Sequence, residues 1–498
     1  MISLKNRSAG RLAGPADSLA RTLIVGAGNA GRTLARDLID TPSFGLRPVG
    51  FLDDARRKRV EHLPILGMLA DLQHVVLTHD VEVVIVAIPS LAPIELATLL
   101  QSAARSGAQV RYLPAFHAAV QRGSRGDDLC AVSPASLLGR DEVRVVRPST
   151  RATVHGRRVL VTGAGGSIGS ELCRQIASYG PAALYMLDHD ESNLHRLQLE
   201  ISGKALLDSD ELIVADIRDD ARIRSLFAAL RPQVVYHAAA HKHLPLLEKH
   251  PCEGVKSNVL GTRNLVDAAV ESGAERFILI STDKAAEPTS ILGVTKRLAE
   301  LVVRDRSGRG TSVGAVRFGN VLGSRGSFLH VLAHQIEAHE PITITDPNVD
   351  RFFMTVEEAV GLVLEAGAMA ETGETFVLDM GEPVRIVNLV EAYAAQAGIT
   401  QFEVRFTGLR PGEKLNETLF SSSESRVPTA NPRISATRGE PLPADLDIRL
   451  DDLFETAARD DSEKVRLQLA EIMPEYVPPA VPAGSLAGMF DTLYPDDF

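Results

Sequence analysis

Several features that would place the protein in a specialised class are missing from its 498-residue sequence. Its three cysteines, Cys130, Cys173 and Cys252, are far apart and form no CxxC pair, which excludes a disulfide framework and a thiolate zinc site. No apolar run approaches the ~18–20 residues of a membrane-spanning helix, and the N-terminus lacks the apolar stretch of a signal peptide. A net charge of −11 argues against a coat for nucleic acid or anionic membrane. We therefore expect a cytoplasmic protein, with peripheral membrane association left open.

Two segments of the chain repeat one pattern. Residues 22–26 form a short apolar run that enters the glycine-rich turn 26–31, and residues 158–163 do the same before the turn 163–169. A strand that leads into a glycine turn and then a helix begins a dinucleotide-binding βαβ unit. After each turn, apolar runs alternate with helical patterns, which predicts an α/β fold with two Rossmann-like, doubly wound parallel sheets. The strand candidates are 49–52, 81–87, 183–187, 212–215, 234–237, 277–281 and 312–318.

The same pattern suggests a division of the chain into segments. Arg-rich polar residues and Pro148 interrupt the periodicity between the two halves, and Ser and Pro become frequent after residue 420. We expect a flexible N-terminus (1–20), a nucleotide-binding or regulatory domain (21–140), a linker (141–157), a catalytic NAD-binding domain with a smaller substrate-binding C-terminal part (158–420), and a C-terminal extension (421–498).

The second glycine turn carries the stronger indication of a cofactor. Gly163, Gly166 and Gly169 stand three apart, which allows a tight turn and brings a helix N-terminus close to a pyrophosphate. Asp188 ends the next strand, where a carboxylate would bind the adenosine ribose. Asp216 and Ile217 end the following strand, where side chains would flank the adenine.

The first glycine turn is less informative. It has the three glycines and an acidic pair, Asp53 and Asp54, after its second strand. No catalytic constellation follows between residues 60 and 140. Nucleotide binding and a regulatory or scaffolding role with an unused pocket are therefore equally compatible with this half of the chain.

A group of reactive side chains follows one strand of the second half. Ser281, Thr282, Asp283 and Lys284 come directly after an apolar run, and Lys296 follows on a predicted helix. Ligands of open α/β sheets bind outside the carboxyl ends of the strands, so a hydroxyl, a carboxyl and an amine there offer acid and base roles in one turn. The spacing alone is equally compatible with a solvated turn followed by a surface lysine.

Six strings of residues resemble one family. They are 161–172, 237–243, 281–285, 317–327, 351–355 and 408–415. In this order they resemble the polysaccharide-biosynthesis branch of nucleotide-sugar 4,6-dehydratases, extended short-chain dehydrogenases/reductases that act on UDP-N-acetylglucosamine. Residues 50–54 also resemble the additional Rossmann-like domain of the larger family members, whose transmembrane helices this sequence lacks.

The resemblance implies an NAD-dependent dehydration in which C4 of the sugar is oxidised, the 6-hydroxyl leaves as water and hydride returns to C6. It implies that Asp283 is the acid for the departing hydroxyl and that Lys284 is the base at C5, for which its pKa must be depressed. Lys296 would hold the nicotinamide ribose. The superfamily's catalytic Tyr is replaced by Leu292, so Thr282 is expected to take the proton of the 4-hydroxyl.

The motifs and the resemblance together give a set of ligand-binding residues. The cofactor set is Gly163, Gly165, Gly166, Ser167, Ile168, Gly169, Asp188, Asp216, Ile217, Ala238, Ala239, Lys242, Ser281, Lys296 and Val321. The substrate set is Lys242, Lys284, Asn320, Arg325, Arg410 and Glu413. NAD is expected rather than NADP, because the carboxylate of Asp188 would repel a 2′-phosphate. His237, His241 and His243 have no nearby carboxylate pattern, so no metal site is expected.

Two other functions are compatible with the sequence. A nucleotide-sugar 4-epimerase or reductase could use the same scaffold, although Asp283 and Lys284 would have no task in epimerisation. A catalytically weak nucleotide-sugar binding or scaffold protein would explain Leu292 and the additional N-terminal domain. The superfamily commonly associates through helices near the one that carries Lys296, so a homodimer or higher oligomer is expected.

Overall fold

The computed structural model describes residues 19–40, 46–54, 59–88, 108–112, 148–203, 207, 209–324, 328–338, 340–396, 399, 401–438 and 442–476. Its strands are β1 (Ala20–Val25), β2 (Leu46–Leu52), β3 (Arg59–Val60), β4 (Leu63–Gly67), β5 (Val83–Val86), β6 (Gln109–Tyr112), β7 (Arg158–Thr162), β8 (Ala183–Asp188), β9 (Leu212–Val214), β10 (Val234–His237), β11 (Arg276–Ile280), β12 (Ser312–Arg317), β13 (Asn320–Leu322), β14 (Ile342–Ile344), β15 (Asp350–Arg351), β16 (Phe353–Thr355), β17 (Thr372–Leu378), β18 (Val384–Arg385), β19 (Val404–Phe406), β20 (Ser425–Pro428) and β21 (Ile434–Arg438).

The helices are α1 (Asn29–Asp40), α2 (Leu72–Thr78), α3 (Pro148–Val154), α4 (Ser167–Ser178), α5 (Glu191–Ser202), α6 (Asp220–Leu230), α7 (Leu244–Lys249), α8 (Pro251–Gly254), α9 (Gly261–Glu271), α10 (Ile291–Asp305), α11 (Phe328–Glu337), α12 (Val356–Met369), α13 (Ile386–Gln396), α14 (Leu446–Ala458) and α15 (Ser462–Ile472). A π-helical turn, Val255–Leu260, joins α8 to α9, and short 3-10 turns occur at Leu69–Asp71 and Asp283–Ala285.

The first of two compact units comprises residues 1–141 and 387–403. Its sheet has six strands in the order β3-β4-β2-β1-β5-β6, in which β4 to β6 pair in parallel and β3 is antiparallel to β4. Helix α1 follows the glycine turn after β1. Numbered along the chain, the five parallel strands have the order 3-2-1-4-5, which is the Rossmann order without its last strand and confirms the fold class expected for this part of the chain.

The second unit comprises residues 142–386 and 404–498 and contains a nine-stranded sheet. The strand order is β20-β21-β17-β12-β11-β10-β7-β8-β9, with parallel pairing from β17 to β9 and antiparallel pairing of β20 and β21. The order reverses between β7 and β10, which is where open α/β sheets bind their ligands. The second predicted Rossmann-like domain is thus confirmed, and the turns after β7 and β11 lie at the same edge of the sheet.

The central strands β7, β10 and β11 are apolar along most of their length because helices cover both faces of the sheet. Val235 and Phe277 lie in a core shared with α6, α9 and α10. Tyr236 and Ile278, their neighbours along the chain, lie in the opposite core with α4, α5 and α12. Burial on two faces is what gives parallel strands a continuous rather than alternating apolar pattern.

Residues beyond 420 belong to this same unit. Strands β20 and β21 extend the main sheet, and α14 and α15 place Leu450 and Leu469 in the core that contains α10. Arg306, which follows α10, pairs with Asp447 at 3.0 Å. The described part of the expected extension is therefore integrated into the fold. The same holds for α3, inside the expected linker, because Val154 is completely buried in the core.

Helix α10, which carries Lys296, has no free face. Every residue from Ile291 to Val303 is buried by other parts of this chain. Association of two copies through α10 itself would therefore have to displace packed elements, and the expected homo-oligomer through helices near α10 stays a prediction. Within the described ranges, no helix has both the length and the apolar character that crossing a membrane requires.

Candidate active site

The glycine turn after β7 forms a cradle that a side chain would fill. Gly163 has a φ of +66°, and a Cβ on it would lie 2.6 Å from the backbone nitrogen of Ala239. A Cβ on Gly169 would lie 2.0 Å from the carbonyl oxygen of Gly163. Helix α4 begins at Ser167, so its first N–H groups lie beside this close approach of backbone. The arrangement fits the pyrophosphate of a dinucleotide.

Asp188 connects the end of β8 to the glycine turn. Its Oδ2 accepts a hydrogen bond from the backbone nitrogen of Gly165 at 2.8 Å, and its Oδ1 accepts one from Asp190 at 3.0 Å. A Cβ on Gly165 would meet the same Oδ2 at 3.0 Å. The carboxylate is therefore fixed beside the turn, where a ribose of a dinucleotide would lie.

The other expected cofactor residues differ in their surroundings. The carboxylate of Asp216 is hydrogen-bonded to Arg218, which lowers the pKa of Asp216, and the side chain of Ile217 packs against Gly261. Two further residues, Ala238 and Ala239, follow β10. The cradle contains Gly166 and Ile168. Val321 pairs with Met354 in a small sheet. Lys242 is exposed. Ser281 is buried and donates to Glu300 at 2.6 Å.

The turn after β11 brings three reactive groups together. Thr282 Oγ1 donates to Asp283 Oδ1 at 2.8 Å, and Lys284 Nζ donates to the same oxygen at 3.1 Å. The other oxygen, Asp283 Oδ2, is buried and has no hydrogen-bond partner among the described residues. A Cβ on Gly319 would lie 3.0 Å from it. One oxygen of Asp283 thus bonds to both neighbouring side chains, and the other is left without a partner in the described part of the chain.

The expectation of a depressed pKa for Lys284 is wrong. Burial alone lowers the pKa of Lys284, but the negative charges of Asp283 and Glu417 outweigh it and raise the pKa above its usual value. Arg351 acts in the opposite direction and is the weaker influence. Lys284 is therefore an ammonium at neutral pH, which cannot accept a proton as it stands.

Glu417 was not predicted from the sequence. Its side chain is 3 % exposed, and Oε1 lies 3.5 Å from Lys284 Nζ. It stands two residues after the end of the family-like string 408–415, and an extension of that string is the signal that could have indicated it. The site therefore contains two carboxylates around one ammonium.

Lys296 lies on the neighbouring helix and is held by the backbone. Its Nζ donates to the carbonyl oxygen of Ile280 at 2.5 Å. Burial lowers the pKa of Lys296 to about 8, and Glu300 opposes this effect. Leu292, one helical turn earlier, is 6 % exposed and lies in the apolar core. The position at which the superfamily carries its Tyr is thus occupied by the apolar side chain of Leu292.

The other expected substrate residues, besides Lys242 and Lys284, belong to two segments of the chain, 320–325 and 410–413. The backbone nitrogen of Asn320 donates to Phe352, and Arg325 lies outside the described residues. Glu413 accepts from Arg351 at 2.9 Å and from the backbone nitrogen of Arg410 at 3.2 Å. The carboxylate of Glu413 therefore orders its own loop, while the Arg410 side chain is exposed.

His237 is structural. Its Nε2 lies 2.9 Å from Thr262 Oγ1, and its Nδ1 lies 2.8 Å from Thr162 Oγ1. Thr262 donates its hydroxyl proton to Asn258, so it accepts from Nε2–H, and Nδ1 accepts from Thr162. Burial lowers the pKa of His237 to about 3. In the described part of the chain, no group of His, Cys, Asp and Glu has the arrangement of a metal site.

A buried ion-pair network supports the reactive turn and was also not predicted. Arg317 pairs with Glu300 at 2.6 Å and with Glu424 at 2.7 Å, and Arg297 pairs with both carboxylates. The positive charge of Arg317 opposes the effect of burial and lowers the pKa of Glu300 to about 2. Because Glu300 also accepts from Ser281, this neutral network joins α10, β12 and the C-terminal loop beneath the turn.

The strand order, the glycine cradle and the polar turn after β11 define the second unit as a nucleotide-binding domain of the short-chain dehydrogenase/reductase type. Sequence comparison gives the family. The profile described as "polysaccharide biosynthesis protein" matches residues 159–438, and one described as "CoA-binding domain" matches residues 7–114. The chain belongs to the polysaccharide biosynthesis protein family.

Individual relatives agree with this assignment. The probable polysaccharide biosynthesis protein EpsC of Bacillus subtilis is 41 % identical over 83 % of this chain and 70 % of its own length. A UDP-N-acetylglucosamine 4,6-dehydratase (inverting) of Campylobacter jejuni is 32 % identical over 55 % of this chain and 80 % of its own. The X-ray structure of Pen from Bacillus thuringiensis superposes with a TM-score of 0.53 at 29 % identity, covering 58 % of this chain and 89 % of that one. A UDP-glucose 4-epimerase of Rickettsia rickettsii is 30 % identical over 54 % of this chain and 79 % of its own, so the chain is related to nucleotide-sugar dehydratases and epimerases alike.

Proposed function

We propose that the protein is an NAD-dependent UDP-N-acetylglucosamine 4,6-dehydratase that forms a UDP-4-keto-6-deoxy sugar for surface glycan synthesis. The observation that carries the proposal is the cluster of Thr282, Asp283 and Lys284 at the carboxyl end of β11, where one buried Asp283 oxygen has no hydrogen-bond partner among the described residues. An acid and an amine side by side are what removal of a hydroxyl and of a neighbouring proton requires.

The glycine cradle supports NAD as the cofactor. Its backbone leaves room where a Cβ would clash, and Asp188 lies beside it at the position of a ribose. When bound, NAD would accept a hydride from C4 of the sugar and return it to C6. Lys296, fixed by Ile280, would hold the nicotinamide ribose with its ammonium.

In this proposal, the side chains of the turn after β11 carry out the proton transfers. Thr282 donates to Asp283 in the ligand-free protein, so it can take the 4-hydroxyl proton and transmit it to this carboxylate. The protonated Asp283 then gives its proton to the departing 6-hydroxyl, which leaves as water. Lys284 acts at C5, after it has lost its own proton. Arg410 and Glu413, with Asn320 and Arg325, would bind the diphosphate and the uridine ribose.

An epimerase is disfavoured by the same residues. Epimerisation needs no acid at C6 and no base at C5, whereas Asp283 and Lys284 are the groups assembled here. It also relies on the tyrosine whose position Leu292 occupies in the apolar core. The reactive turn is therefore better matched to dehydration.

The test is to incubate the purified protein with UDP-N-acetylglucosamine in deuterated water and to follow the sugar by proton NMR. We expect a new C6 methyl signal and solvent deuterium at C5, without added reductant. Lys284→Ala should lose both signals while it retains bound NAD. An unchanged substrate in the presence of bound NAD would refute the dehydratase and leave a binding role.

A further inference from the structure

The backbone of the reactive turn is held by the neighbouring strand β12. The backbone nitrogen of Ser281 donates to the carbonyl oxygen of Val316 at 2.7 Å. The backbone nitrogen of Asp283 donates to that of Phe318 at 3.1 Å. These contacts continue the pairing of β11 with β12 past the last strand residue, and Thr282 lies between them.

Helix α10 holds the same point with two side chains one helical turn apart. Lys296 Nζ donates to the carbonyl oxygen of Ile280 at 2.5 Å. Glu300 Oε1 accepts a hydrogen bond from Ser281 Oγ at 2.6 Å. Because residues four apart lie on one face of a helix, these two buried side chains contact two consecutive residues of the chain, directly before Thr282.

Glu300 also connects these contacts to β12. Its two carboxylate oxygens accept from Arg317 at 2.7 Å and 2.6 Å. Arg317 is the last residue of β12 and stands between Val316 and Phe318, whose carbonyl oxygens hold the turn. Ser281 is thus bonded to β12 directly and also to Glu300, which β12 holds through Arg317. A displacement of Ser281 would break contacts on both sides.

The charge of Glu300 acts on Lys296 as well. Among the described residues, two titratable groups interact with the charge of Lys296: Glu300 on the same helix and His237 on β10. Burial lowers the pKa of His237 to about 3, so His237 is neutral near pH 8. Glu300 opposes the effect of burial on the pKa of Lys296, which is about 8. With its own pKa at about 2, Glu300 keeps a constant negative charge over this range.

We propose that Glu300 is a positioning residue for the reaction, which holds the reactive turn in place through Ser281 and maintains the ammonium form of Lys296 through its charge. Glu300 acts through these two side chains. The inference rests on the proposed dehydratase function, in which Thr282 transmits a proton and Lys296 holds the nicotinamide ribose.

The experiment compares Glu300→Gln with Glu424→Gln at saturating UDP-N-acetylglucosamine and NAD. Both variants remove one buried carboxylate that pairs with Arg317, but it is Glu300 that bonds to Ser281. In Glu300→Gln the rate of C6 methyl formation should fall about 10-fold or more, because misplaced reacting groups react slowly. Its decline at alkaline pH should begin about one pH unit lower, since Lys296 loses its negative neighbour. Glu424→Gln should keep the wild-type rate and pH profile, although its melting temperature also decreases.

Two more variants separate the effect of the hydrogen bond from that of the charge. Ser281→Ala should lower the rate without moving the alkaline decline, because the charge of Glu300 remains. Glu300→Asp retains the charge and should return the alkaline decline to the wild-type pH. If Glu300→Gln matches Glu424→Gln in rate and in pH profile, Glu300 is a merely structural residue and the inference alone is overturned. A wild-type protein that forms no C6 methyl product would overturn the proposed function and the inference with it.

Discussion

Removal of Arg317 should destabilise the protein more than removal of any surface arginine. Arg317 is completely buried and makes hydrogen bonds of 2.6–2.8 Å to Glu300 and Glu424. In Arg317→Met, Glu300 and Glu424 lose the buried guanidinium that pairs with both of them. Loss of one partner of a buried ion pair costs about 3–5 kcal/mol, so we expect a decrease of that size in the free energy of unfolding.

Urea denaturation at neutral pH measures this decrease, with Arg459→Met as the control. Arg459 pairs with Glu455 at 3.2 Å, but both side chains are at least 70 % exposed, and such pairs contribute about 0–1 kcal/mol. The double variant Arg317→Met/Glu424→Gln should recover part of the loss, because the excess negative charge is removed. A loss in Arg317→Met no larger than that in Arg459→Met would refute the reasoning.

The same substitution should also change how the free energy of unfolding depends on pH. The pKa of Glu300 is lowered in the folded protein from its usual 4.5 to about 2, so its stabilising contribution is present above 4.5 and is lost as the pH falls toward 2. In Arg317→Met that pKa rises, and protonation relieves the uncompensated charge. The difference in free energy of unfolding between wild type and Arg317→Met should therefore become smaller as the pH falls from 4.5 toward 2.

Three further outcomes follow from the site. Gly169→Ala should lose bound NAD, because its Cβ would lie 2.0 Å from a backbone oxygen. The control Gly361→Ala should retain NAD, because its Cβ would meet nothing closer than 3.9 Å. The NAD content of the two purified variants tests this prediction. Turnover should fall as the pH rises through about 8, because Lys296 loses its positive charge there. If this charge holds the ribose, Lys296→Arg should remove the pH dependence. Thr282→Val should reduce turnover about 100-fold or more, while Leu292→Ala should reduce it far less, and equal losses would contradict a proton path through Thr282.

The sequence predicts the fold well because its information is local. A strand buried on both faces appears as an apolar run, and a glycine at a clash point cannot be replaced, so β7, β10 and β11 and the cradle can be identified without a structure. The turn at Thr282 to Lys284 can be located for the same reason, since it directly follows such a run.

What the sequence does not reveal depends on contacts between distant segments. In the sequence, nothing distinguishes Glu300 from a solvated helix residue, because its partner Arg317 lies on a separate strand and is itself held by Glu424 of a C-terminal loop. The ionisation of Lys284 could not be predicted, because burial and two carboxylates act on its pKa in opposite directions. One of those carboxylates, Glu417, comes from a loop far along the chain.

The two glycine turns show which features of the site belong to the fold and which belong to a function. Asp53 Oδ2 accepts from the backbone nitrogen of Ala27 at 2.6 Å, as Asp188 Oδ2 accepts from Gly165 at 2.8 Å. A strand-end carboxylate that closes onto a glycine turn is therefore common to both units, and this bond alone does not establish a ligand in either. Only the second unit adds the Thr282, Asp283 and Lys284 turn, and the proposal of chemistry depends on that addition rather than on the nucleotide-binding pattern that the two units share.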